Sequence, residues 1–96
     1  MEFLVTYDVD TTTPEGERRL RQVAKTCEGV GHRVQKSVFE VVCTPSQRLT
    51  LEARLLAIID PSRDSVRIYH LDRGTFDTAK HLGAATDAAH REPLII

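Results

Sequence analysis

Residues 32–43, HRVQKSVFEVVC, decide the fold of this chain. Val34, Val38, Phe39, Val41 and Val42 give the stretch strand character, and it is long enough for two short strands or one bent one. Ser37 is the residue at which it would bend. Read as two strands, it forms a central hairpin, and the rest of the chain is arranged on either side.

Upstream, residues 2–9 (EFLVTYDV) are rich in β-branched and aromatic residues and predict a first strand. Successive side chains on a strand point to opposite faces. Phe3, Val5, Tyr7 and Val9 therefore make a core-like face, while Leu4, Thr6 and Asp8 turn from apolar to acidic on the other. Thr13 is a natural N-cap for a helix with Pro14 at its first position, and Glu15 and Glu17 suit the positive end of the helix dipole. Leu20, Val23, Ala24 and Cys27 form one apolar stripe. Arg18, Arg21 and Lys25 fall opposite, with Arg19 at the border, and Gly29 and Gly31 stop the helix.

Downstream, Thr44-Pro45-Ser46-Gln47 reads as a capping box opening a second helix. Leu51, Leu55, Ile58 and Ile59 make its better apolar face, and Leu49, Ala53 and Leu56 a weaker one nearly opposite. Asp60-Pro61-Ser62 ends that helix, and residues 65–71 (SVRIYHL) predict a last strand. The order β, α, β, β, α, β is that of the α+β ferredoxin-like fold, an antiparallel sheet with both helices on one face. The other face must be covered by something. In a domain of 96 residues, whose core is modest, a second copy of the chain is a natural cover.

Residues 1–71 thus form the expected domain, and residues 72–96 a polar tether ending in Pro93-Leu94-Ile95-Ile96. An apolar end on a long tether suggests a short strand docking on a sheet edge, either in its own chain or in a partner's; the alternative is a frayed tail. An apolar content of 41% fits a folded domain, and a net charge of -1 means that any basic surface must come from local clustering. Cys27 and Cys43 read as two small buried hydrophobes in a reducing compartment. No signal-peptide pattern or membrane-length apolar run is present in the sequence, so a soluble cytoplasmic protein is expected.

Tyr7-Asp8, followed by Asp10, is the strongest site signal. A carboxylate at a strand end can meet a cation, and magnesium needs only one or two protein carboxylates beside water and substrate oxygens. Two-fold pairing of the uncovered faces would bring two Asp8 carboxylates near the axis. The plainer alternative is an Asp that ends a strand and opens a turn. His32, His70, His81 and His90 lack the spacing of a zinc site, and no phosphate-binding loop, nucleophile elbow or dinucleotide fingerprint occurs. Arg18, Arg19, Arg21, Lys25, Arg33 and Lys36 could bind phosphates or form a solvated basic face. With two Tyr and three Phe, backbone recognition of a duplex suits the composition better than base stacking.

Several segments occur in the order and spacing of one known family: V-T-Y-D-V, R-R-L-R-Q-V-A-K, G-H-R-V-Q-K-S-V-F-E, T-P-S-Q and D-S-V-R-I-Y. Together they resemble the CRISPR-associated endoribonuclease family over residues 2–71, and the run R-V-Q-x-S-V-F-E with an upstream Y-D is the most specific part. The closing E-P-L-I-I also looks like the C-terminal strand of some members. The resemblance implies a homodimer packed sheet against sheet, with the C-terminal strand crossing to the partner. It further implies a complex with the CRISPR integrase in which the dimer positions short double-stranded DNA for insertion as a new spacer. Members are also described as magnesium-dependent nucleases acting on single-stranded RNA or double-stranded DNA. By position, the metal-binding and catalytic aspartate falls on Asp8, the first-helix and R-V-Q arginines, read as nucleic-acid contacts, on Arg18, Arg19, Arg21 and Arg33, and supporting aromatics on Tyr7 and Phe39; the charge of Lys36 would add a phosphate contact. Lys36 stands where many members have Tyr, which puts aromatic packing there in doubt. A structural adaptor and a hydrolase are thus both implied, and one carboxylate per chain favours the adaptor.

Overall fold

The computed structural model describes residues 1–84. Along them run β1 (Glu2–Asp8), α1 (Pro14–Glu28), β2 (Gly31–Gln35), β3 (Val38–Val42), α2 (Pro45–Ile58) and β4 (Ser65–Leu71), then a short 3-10 turn, Phe76–Thr78. The central segment is indeed a hairpin, turning at Lys36 and Ser37. Among the described residues the sheet has four strands in the order β2-β3-β1-β4, and every neighbouring pair is antiparallel. This is the α+β ferredoxin-like arrangement that the element order predicts.

β1 lies inside the sheet, with Val5 opposite both Phe39 of β3 and Ile68 of β4. Its alternation sorts the two faces as expected. Phe3, Val5 and Tyr7 join Phe39 and Val41 beneath Val23 and Cys27 of α1 and Leu51 and Leu55 of α2. Fully burying such a side chain contributes about 1.5–3 kcal/mol, so this one face supplies most of the hydrophobic stabilisation. Among the described residues no helix lies over Leu4, Thr6 and Asp8 on the other face. Leu4 is flanked there by Glu40 and Tyr69, and Thr6 by Val38 and Arg67.

Both helices begin as their sequences predict. The Thr13 hydroxyl accepts from the Gly16 N–H at 3.0 Å. In α2, Thr44 accepts from the Gln47 N–H at 3.1 Å while the Gln47 side chain accepts from the Thr44 N–H at 2.9 Å. Position 16 requires glycine. A Cβ there would run into the Asp10 carbonyl, because α1 starts hard against the loop that leaves β1. The second stripe of α2 faces outward, with Leu49 and Leu56 exposed.

Beyond β4 the tether turns back at once. The Glu2 carboxylate accepts from the Gly74 N–H at 2.7 Å and the Phe76 N–H at 2.8 Å. Gly74 sits at φ 90, a conformation open mainly to glycine. The predicted strand at residues 94–96 lies outside the described residues. Cys27 is buried and Cys43 half-buried, and both are free thiols. Burial pushes the Cys27 thiol up to about 11, so it stays protonated at neutral pH. No helix among the described residues is long and apolar enough to cross a membrane.

Candidate functional site at the end of the central strand

Strand alternation sends Tyr7 and Asp8 to opposite sides of the sheet. Tyr7 enters the core, its ring stacked against Phe39 with centroids 6.2 Å apart. Its hydroxyl donates to the Lys36 carbonyl at 3.3 Å and so pins the β2–β3 turn. Burial pushes the phenol up, which keeps it a donor. Tyr7 and Phe39, expected as supporting residues, pack beneath the strand end. Asp8 is exposed on the open face, paired across the ladder with Ser65. Its side chain makes no hydrogen bond or ion pair among the described residues.

Asp10 has a different task. One of its oxygens accepts from the Thr12 N–H at 2.9 Å and the Thr12 hydroxyl at 2.6 Å, and the other faces Arg63 at 3.3 Å. The Thr12 hydroxyl and N–H hold the Asp10 carboxyl below the usual range. Asp60 repeats the motif with the hydroxyl and N–H of Ser62, with the same effect on its carboxyl. Asp10 therefore closes its loop and is not a second free carboxylate beside Asp8.

Between these loops lies a residue that the sequence reading missed. The Asp64 side chain is 0% exposed and accepts from the N–H groups of Asp10 at 3.0 Å and Asp60 at 2.9 Å. Arg19 Nε completes the set at 2.8 Å. Burial pushes the Asp64 carboxyl up, but the Arg19 guanidinium and the two N–H groups outweigh it and hold it below the usual range. One carboxylate thus joins α1, the β1–α1 loop and the turn before β4. The signal in the sequence was Arg19 at the border of the apolar stripe, since a half-buried arginine requires an acceptor.

The basic residues do not form the single cluster expected. Arg19 is committed to Asp64, and Arg33 donates to Glu28 at 3.3 Å with its guanidinium 5.2 Å from the Phe39 ring centroid. Glu28 ends α1, ten residues beyond Arg18 (28 minus 18), or about 15 Å along the axis. Arg33 therefore belongs to the opposite end of the helix. Arg18, Arg21 and Lys36 are exposed and make no ion pair among the described residues.

The resemblance implies a magnesium ion, and one chain offers it one ligand. Asp8 is exposed and uncommitted, whereas Asp10, Asp60 and Asp64 are held by their own loops. Among the described residues no three His, Cys, Asp or Glu side chains gather to hold a metal. A single carboxylate still suffices for an ion that keeps most of its waters and takes substrate oxygens.

Comparison with known proteins places this geometry. The family model described as CRISPR associated protein Cas2 matches residues 1–79. A CRISPR-associated endoribonuclease Cas2 of Rhodospirillum rubrum is 52% identical over 98% of this chain and 99% of its own length. A CRISPR-associated endonuclease Cas2 of Halalkalibacterium halodurans is 42% identical over 99% of each. The crystal structure of Streptococcus pyogenes Cas2 superposes with a TM-score of 0.78 at 48% identity, covering 86% of this chain and 100% of that one. Sequence, fold and length agree, and the chain belongs to the Cas2 family of CRISPR-associated proteins.

Proposed function

We propose that the protein acts in CRISPR spacer acquisition as a homodimer that bridges subunits of the integrase and holds short duplex DNA for insertion. The observation that supports this reading most is the open face of the sheet. It carries Leu4 and Val38, half-buried, and Val42 and Tyr69, which are 66% and 43% exposed, in a small domain with its helices on the other side. A second copy of the chain covers such a face, and pairing about a two-fold axis sets two copies of α1 with their exposed Arg18 and Arg21 at symmetric positions. Phosphate contact by these cations needs no base reading, which suits the capture of arbitrary sequences.

Cleavage of phosphodiester bonds is the second reading, favoured by the exposure and freedom of Asp8. That residue would hold the magnesium ion, which when bound supplies a water of lowered pKa and neutralises developing charge. Asp8→Asn separates the two. In the complete complex with the integrase, this variant is expected to support spacer integration at the parent's rate. A collapse of integration at unchanged DNA binding would overturn the adaptor reading. Cleavage by Asp8→Asn at the parent's rate would overturn the second.

A further inference from the structure

The helix layer lies on the side of the sheet away from the proposed subunit contact, and it carries a groove that no role above uses. One cleft, of about 300 Å³, opens between the C-terminal end of α1 and the N-terminal end of α2, with Val30 and Leu51 in its walls. A second, of about 550 Å³, continues it past Ala57 and Ile58. Thr26 and Arg54 line both, so the two run as one groove along the seam of the helices. From Gln22 to Gly29 it follows α1 for seven residues (29 minus 22), or about 10 Å. That elongated shape suits a stretch of chain better than a compact small molecule.

The charge on its rim is one-sided. Lys25 and Arg54 are exposed, and neither side chain makes an ion pair among the described residues. The carboxylates closest to them in sequence, Glu28 and Glu52, are paired with Arg33 and Arg48. No carboxylate lines either cleft, in a chain whose net charge is -1. Two cations over an apolar floor call for a ligand with both chemistries. Apolar side chains would displace water from Val30, Leu51 and Ile58, and carboxylates would meet the Lys25 ammonium and the Arg54 fork. Nucleic acid offers mainly the charge. No aromatic side chain lines the groove for a base to stack on, and a phosphodiester backbone has little apolar surface to put in it. We propose that the groove between α1 and α2 binds a segment of a partner protein in which one or two large apolar residues are flanked by carboxylates, held by Arg54 and Lys25. A bridging protein needs a protein-facing surface apart from its subunit contact and its DNA-binding cations, but the chemistry of the groove stands without that reading.

The test selects short peptides from a displayed random library on the full-length protein. The enriched sequences are expected to place carboxylate side chains beside large apolar ones. A labelled synthetic copy of the most enriched peptide, followed by fluorescence anisotropy, should bind Arg54→Glu about tenfold or more weakly than the parent. A copy with its carboxylates replaced by ammonium groups should reverse that order and prefer the variant. The variant's melting temperature should match the parent's, since Arg54 is exposed and unpaired among the described residues. In NMR spectra of the parent, the peptide should move the amides of Gln22, Thr26, Arg54 and Ala57 and leave those of Val38 and Tyr69 on the sheet face in place. Equal binding to parent and variant would overturn the proposal, as would a selection that returns no peptide or shows no enrichment in carboxylates. A short DNA duplex that displaces the peptide and moves the same amides would make the groove a nucleic-acid surface. Self-association beyond the dimer that disappears in Arg54→Glu would make it a contact between copies of this chain. Either result would overturn the assignment to a partner protein.

Discussion

Removing the Asp64 carboxylate would strand the N–H groups of Asp10 and Asp60 and the Arg19 guanidinium together. Asp64→Ala should lower the melting temperature by roughly 10 °C or more, since buried donors left without an acceptor carry their full desolvation cost. Asp64→Asn keeps an acceptor oxygen and should lose less; thermal denaturation of both variants checks the order. The same residue makes stability depend on acid. Asp64, Asp10, Asp60 and Glu2 all have carboxyls held below their ordinary range in the folded chain. As the pH falls, the unfolded chain takes up these protons first. The stability they add is fully present above about pH 5 and is lost as the pH drops through the folded values. A melting temperature as high at pH 3.5 as at pH 7 would contradict this. Asp8 was legible from sequence because strand alternation is local. Asp64 was not, because its partner Arg19 is 45 residues away and only the fold brings them together.

At the scale of elements, both helix starts were legible because Thr13 and Thr44 find their partners within three residues. Which cations of α1 stand free was only half legible. Arg18, Arg19 and Arg21 look alike in a row of letters, yet Arg19 is tied down and the other two are exposed. Arg33 and Lys36 sit near each other in sequence, but one reaches Glu28 and the other tops an exposed turn. Replacing Arg18 and Arg21 together by Ala should weaken duplex DNA binding of the integrase complex evenly across sequences. The salt slope should fall by about 0.9 for each phosphate that the helix no longer neutralises. An unchanged slope would make this helix face merely solvated. The melting temperature should barely move, since exposed charges on a helix contribute little to stability.

At the scale of the whole molecule, one face of the sheet builds the core, and the proposed dimer would cover the other. Leu4→Lys tests that division. Within one chain the new ammonium lies beside Glu40, so the monomer should fold. Between two facing sheets it would be buried without enough acceptors, and the dimer dissociation constant should rise by about a hundredfold or more. Sedimentation equilibrium measures this, and an unchanged constant would place the interface elsewhere. Such a face is legible in sequence as an apolar-to-acidic strand side; what covers it is not, because alternation reports exposure and not the neighbour.

The clasp between Glu2 and the backbone of Gly74 and Phe76 also sets a load path. Tension on the tail would otherwise act on the end of β4, an edge strand among the described residues, and peel it from β1 one hydrogen bond at a time. With the clasp closed, the pull enters the sheet through Glu2 at the start of β1, a strand bonded on both sides. Force along that strand must shear two ladders at once. A tail anchored to a moving partner would then drag the domain as a rigid handle before it unravelled its edge, and the handle would release at acid pH when Glu2 takes up a proton.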